Sequence, residues 1–269
     1  YDTIDMDFMN LNQSAHGDRE FGFICTRLGI KREVVVGYYK HDDVIEKLRS
    51  FAHAAAAVNF GRTMRVAMLG NNMRDVAVTD GDRVESEICY GWNVNYYGIG
   101  DIADIIKDIT EEEINAKLSE YNEKYTMATD NIASVREQAK YEAALEKFIA
   151  RENIGAFTDT FQDLHGLRQL PGIAAQNLMA KGIGFGPEGD YKTSALGAVL
   201  FKMAEGRKGA TGFMEDYTYD LTSGEELELA AHMLEVSPVF ALSKPEIQVH
   251  PLGIGGKEPP ARLVFDGIE

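Results

Sequence analysis

Met64-Arg65-Val66-Ala67-Met68-Leu69, followed by Gly70-Asn71-Asn72-Met73, is the stretch from which the fold unfolds. An apolar run of strand length that stops on glycine and asparagine reads as a buried strand closed by a tight turn. Upstream, Glu33-Val34-Val35-Val36-Gly37-Tyr38 reads as another strand, and the helix that follows from Asp42 repeats Val44, Leu48, Phe51, Ala52 and Ala55 on one face. Strand and helix in succession specify an α/β protein.

Downstream, Val76-Ala77-Val78, the turn Thr79-Asp80-Gly81-Asp82 and Val84 to Tyr90 predict a strand hairpin. Thr110 with Glu113, and Ser134 with Glu137, have the spacing of capping boxes, so residues 110 to about 153 are expected to be mainly helical. Within them, Glu142 to Glu146 and Lys147 read as a solvated helix face. Ala156 to Thr160 reads as a buried strand, and helices are expected near 171–181 and 192–205. From Gly209 the texture turns β-rich, with Phe213–Tyr219, Leu227–Val236, Glu246–Val249 and Arg262–Phe265 separated by Gly, Ser and Pro, which places a domain change near residue 208.

The 269 residues are 26% charged and 45% hydrophobic, a globular composition with enough apolar side chains for a real core. The 27 basic against 43 acidic residues give a net charge of −16, which opposes contact with nucleic acid or anionic lipid. No apolar run is long enough to span a membrane, and no signal peptide is evident. Cys25 and Cys89 form no framework pattern, are expected to be partly buried thiols, and point to a reducing compartment. The chain opens at Tyr1 without methionine, as expected of a segment of something longer.

Three side chains stand out for their chemistry. Glu188, in Gly184-Phe185-Gly186-Pro187-Glu188-Gly189-Asp190, is either an acidic turn residue or a carboxylate on a loop that lets backbone approach a ligand. Glu215 lies among aromatic and apolar neighbours in a strand, either exposed at an edge or held for a purpose. His232, in Ala230-Ala231-His232-Met233-Leu234, is either a hydrogen-bonded structural group or a ligand. Together, two carboxylates and an imidazole are donors suited to a divalent ion such as Mn²⁺. The amide-rich stretch Asn10–Gly17 carries Gln13, Ser14 and His16; Ser14 either caps the next helix or shares in a polar site. His165, before Gly166, is either a functional histidine or a helix C-cap histidine. No G-x-G-x-x-G opens a helix after a strand, since Gly182, Gly184 and Gly186 have the wrong spacing, which disfavours a nucleotide-dependent oxidoreductase.

Longer strings carry a family likeness. Asp5-Met6-Asp7-Phe8-Met9-Asn10-Leu11-Asn12-Gln13 with Ala15-His16-Gly17, Asn72-Met73-Arg74 with Val76 to Asp82, Phe161 with Asp163 to Leu167, Glu188-Gly189-Asp190, Phe213 to Tyr219, His232 to Val236, and Leu252 to Lys257 together resemble the L-arabinose isomerases, in order and over essentially the whole chain. The resemblance implies an aldose–ketose isomerase that interconverts L-arabinose and L-ribulose, and D-galactose and D-tagatose, with Mn²⁺ in the cytoplasm. It puts Glu188, Glu215 and His232 on metal ligands and the two glutamates on the catalytic acid/base pair. Gln13 and His16 match sugar contacts supplied by a neighbouring subunit, while Met73, Phe161 and Ile254 match pocket positions. It further implies the tail of a Rossmann-like N-terminal domain over 1–58, a central α/β sandwich domain over 59–207 and the start of a β-rich, barrel-like C-terminal domain over 208–269, in a parent that forms homo-oligomers, trimers or hexamers. A fourth ligand, a histidine, is expected beyond Glu269 and further sugar contacts before Tyr1, so the alternative to catalysis by this segment is a non-catalytic sugar-binding or assembly role.

Overall fold

The computed structural model describes residues 3–209, 211–222 and 224–267, which divide into two compact units, Tyr1–Ala52 and His53–Glu269. In the first, the described elements are helical: α1 (Met6–Leu11), α2 (Ser14–Arg27) and the beginning of α3 (Asp42–Gly61). Asp5 caps α1 by accepting the Phe8 N–H at 2.8 Å. Gln13 sits at the N-cap of α2 without a side-chain bond; the Ser14 side chain, expected to cap, lies outside the described residues. The strand expected over Glu33–Tyr38 does not form. Val34 and Val36 are exposed, and the described part of this unit offers no strand for them to pair with, so β-propensity alone leaves the segment irregular.

The second unit is built on a four-stranded parallel sheet in the order β2-β1-β4-β5, from β1 (Arg65–Leu69), β2 (Asn93–Tyr97), β4 (Ile154–Asp159) and β5 (Gly184–Gly186). The strand alternation of β1 sends its side chains into two cores. Val66 and Met68 meet Ala156, Val94 and the Tyr191, Ala195 and Ala198 face of α9 (Tyr191–Ala204). Ala67 and Leu69 join the larger core formed by α5 (Ile99–Lys107), α6 (Glu111–Lys124), α7 (Ile132–Glu152) and α8 (Ile173–Ala180). Glycine is required where β5 meets α9: a Cβ at Gly184 would lie 2.0 Å from the Ser194 carbonyl oxygen.

The hairpin expected over residues 76–90 is replaced by a single turn of 3₁₀ helix at Ala77–Thr79 and by α4 (Arg83–Tyr90). Asp82 accepts the N–H groups of Val84 and Glu85 at 2.9 and 3.0 Å, and Gly91 closes the helix in the left-handed conformation; caps at both ends favour the helix over the expected second strand. The capping box of Thr110 and Glu113 forms as expected, whereas α7 is capped by Asn131 and the Ser134 hydroxyl instead donates to the Pro259 carbonyl at 2.9 Å.

Beyond α9, β6 (Glu215–Asp220) and β7 (Leu227–Ala231) form an exposed antiparallel pair with a register shift between Asp216 and Thr218. A second small sheet joins β3 (Thr126–Met127), β8 (Glu246–Val249) and β9 (Ala261–Val264), and Ile247, Ala261 and Leu263 pack into the larger core. Cys25 is buried and Cys89 exposed, its thiol donating to Glu85, so only the first is the hidden thiol expected.

The helix face read as solvated holds the most buried carboxylate among the described residues. Glu142 is 0% exposed, and its oxygens accept from Lys117 Nζ (3.3 Å), Lys181 Nζ (2.7 Å), Tyr121 Oη (2.7 Å) and Asn177 Nδ2 (2.7 Å). Two ammonium groups from other helices neutralise what the local pattern presented as a surface charge.

Candidate active site

The strands all run parallel, but their order reverses between β1 and β4, because β2 flanks β1 on one side and β4 and β5 follow on the other. The loops after β1, β4 and β5 therefore emerge together at the carboxyl ends of the strands, where open α/β sheets bind ligands. A cavity of about 50 Å³ there is lined by Asp159, Phe161, Glu188, His232, Glu235 and Ile254, among others. Four of the residues singled out from sequence, Glu188, His232, Phe161 and Ile254, thus come together.

Glu188 follows β5 in the left-handed conformation, with φ of +64°. Burial pushes its carboxyl above the usual range, His232 pulls it down, and the charges of Glu215, Glu235 and Asp190 raise it further. His232 follows β7, and its Nδ1 lies 2.6 Å from Glu235 Oε2. Burial works against its protonation, yet the Glu235 hydrogen bond and the charges of Glu235, Glu215 and Glu188 prevail and hold the imidazole above its ordinary value. Phe213 packs edge-on to the ring at 5.1 Å.

Glu215 opens β6 as an exposed residue; the register pairs it with Ala231, the neighbour of His232. Among the described residues no three His, Cys, Asp or Glu side chains are gathered closely enough to hold a metal ion. The donor chemistry nevertheless fits a divalent cation: the charges acting on His232 are those of the carboxylates Glu235, Glu215 and Glu188, and Glu235 binds one ring nitrogen as carboxylates do behind metal-ligating histidines.

Long-range hydrogen bonds fix the walls. Gln176 donates to the Val236 and Leu263 carbonyls and accepts the Leu263 N–H at 2.7 Å, tying the segment after His232 to α8. Lys257 Nζ donates to the carbonyls of Leu164 and Leu167 at 2.7 and 2.9 Å, joining the Ile254 loop to the Phe161 loop. His165 is exposed on a turn rather than at a helix end. Met73 stands on the loop after β1, and its N–H donates to the Glu188 carbonyl at 2.9 Å. Gln13 and His16 are exposed at the start of α2, in the first unit.

Sequence reasoning missed Asp159 and Glu235. Asp159, at the end of β4, is pushed up to about 8 by burial and the Glu235 charge, against the pull of His232. Its position as the acidic terminus of a buried strand was the available signal; Glu235 stood three residues after the histidine that it supports.

Residues 65–206 match the family model of the L-arabinose isomerase central domain, residues 1–63 that of the N-terminal domain and residues 210–269 that of the C-terminal domain. The chain is 54% identical over 275 residues to a protein of Geobacillus stearothermophilus, 53% over 271 residues to one of Thermotoga petrophila and 53% over 275 residues to one of Halalkalibacterium halodurans, each named L-arabinose isomerase. Each match covers 100% of this chain and 55% of the relative, so the chain spans about half the length of these curated relatives.

Proposed function

The chain belongs to the L-arabinose isomerase family, and from that premise we propose that the full-length protein is a cytoplasmic, homo-oligomeric isomerase, trimeric or hexameric, that interconverts L-arabinose and L-ribulose and accepts D-galactose to give D-tagatose. The observation that carries this reading is the cavity shared by Glu188, His232, Phe161 and Ile254, with Glu215 next to it in register.

Aldose-to-ketose conversion moves one proton from C2 to C1 and another from O2 to O1. Glu188 and Glu215 share these transfers: one removes the carbon-bound proton and returns it to the adjacent carbon, the other carries the oxygen proton. A raised carboxyl at Glu188 suits a group that must both take and give a proton. Glu188, Glu215 and His232 would hold Mn²⁺, which when bound polarises the substrate oxygens. Phe161 and Ile254 supply apolar walls; by family likeness Met73, whose N–H holds the Glu188 carbonyl, belongs to the sugar pocket, and Gln13 and His16 reach the sugar from a neighbouring copy. A sugar-binding role alone leaves the paired acidic groups without a task.

The test is ketose formation from L-arabinose by the full-length protein in a cysteine–carbazole assay, with Mn²⁺ and after chelation. Turnover that requires the metal and falls about a hundred- to ten-thousand-fold in Glu215→Gln supports the reading. Sugar binding that is indifferent to Mn²⁺, without ketose, overturns it.

A further inference from the structure

The Glu188–Gly189 turn is held from outside by the loop after β1. Both residues are left-handed, with φ of +64° and +82°, a conformation that costs a side-chain-bearing residue energy and persists where its surroundings enforce it. Asn72 does the enforcing. Its Nδ2 donates to the Gly189 carbonyl at 2.9 Å and to the Thr79 carbonyl at 2.8 Å, so one amide group bridges the turn and the far side of its own loop. The next residue repeats the grip through backbone, Met73 N–H to Glu188 carbonyl at 2.9 Å. Backbones approach so closely that a Cβ on Gly189 would lie 2.5 Å from Asn72 Cα.

The loop that carries Asn72 is itself fixed. Lys192 Nζ donates to the carbonyls of Val78, Thr79 and Asp80. Asn71 N–H and the Arg74 guanidinium reach Asp163 at 3.2 and 2.8 Å. Asp159 carbonyl accepts the Gly189 N–H at 2.9 Å from the opposite side. The turn is thus gripped between two anchored loops, with Asn72 as the side chain that joins them.

We propose that Asn72 is a positioning residue for the reaction: it acts through the Glu188–Gly189 backbone, fixing where the Glu188 carboxylate points, and touches no reacting atom. This rests on the functional reading above. Asn72→Asp keeps the shape but turns a carboxylate oxygen toward two carbonyl oxygens, and Asn72→Ala removes the bridge without adding charge.

The experiment compares both variants with the parent in the full-length protein, reading kcat and KM for L-arabinose, the Mn²⁺ dissociation constant by calorimetry, and the melting temperature. The expected result is a fall of about 10- to 100-fold in kcat or in Mn²⁺ affinity, larger for Asp than for Ala, as for other groups that orient ligands from behind. KM is expected to stay within about threefold, because Asn72 does not contact the sugar. Should Asn72→Asp fail to fold, Asn72→Ala carries the comparison. Unchanged kcat and Mn²⁺ affinity, or a loss that only tracks the unfolded fraction, would overturn this inference alone. A parent protein with neither turnover nor Mn²⁺ binding would overturn the functional reading and this inference with it.

Discussion

Glu142 and Glu188 are carboxylates withdrawn from water by the same fold, and their surroundings are opposite. Around Glu142 stand two lysines, a tyrosine hydroxyl and an amide, all donors, and its burial is complete. Around Glu188 stand Glu215, Glu235 and Asp190, with His232 as the counterweight. A buried charge met on all sides by donors is finished, and its role is to hold helices together. A half-buried charge that faces other negative charges has an unmet demand for protons or a cation, which is the mark of a site with chemistry to do.

Substitutions can break this contrast in order of size. Glu142→Ala leaves Lys117 and Lys181 around an emptied, buried position and should destabilise the fold by about 3–5 kcal/mol, measured by denaturant unfolding. Thr110→Ala, which removes one half of the capping box on α6, should cost about 1 kcal/mol in the same measurement. The smallest effect is a pH dependence at Glu146. Burial raises this carboxyl, but its hydrogen bonds to Lys117 and Lys181 and their charges outweigh burial and hold it below the ordinary value. Its contribution is therefore complete above the unfolded-state value of about 4.3 and lost as pH falls through the lower folded value. Glu146→Gln should flatten the acid limb of a stability–pH curve, and a parallel downward shift with no change of slope would show that Glu146 is not responsible.

The same contrast explains what could be read from sequence. The run Met64–Leu69 announces β1 because a strand buried on both faces is apolar along its buried length, here Val66–Leu69, and Thr110 with Glu113 announces α6 because a capping box is a local interaction. Glu142 reads as a surface charge because its partners, Lys117 on α6 and Lys181 at the end of α8, are distant in sequence, and a charge pattern carries no information about partners so far along the chain. Val84–Tyr90 reads as the second strand of a hairpin because the turn Thr79–Asp82 precedes it, whereas Asp82 and Gly91 cap it as a helix. At the site, Glu188, Glu215 and His232 stood out by residue type and by family likeness, while Asp159, Glu235 and Asn72 act through contacts that only the folded chain reveals.

The most direct test of the account exchanges the two carboxylates for amides in separate full-length proteins, Glu188→Gln and Glu142→Gln, and measures ketose formation and melting temperature for each. The account predicts that Glu188→Gln loses about a hundredfold or more of its turnover with a melting temperature within about 4 °C of the parent, whereas Glu142→Gln melts earlier and retains turnover per folded molecule. Full turnover in Glu188→Gln, or a loss explained by unfolding alone, would contradict it.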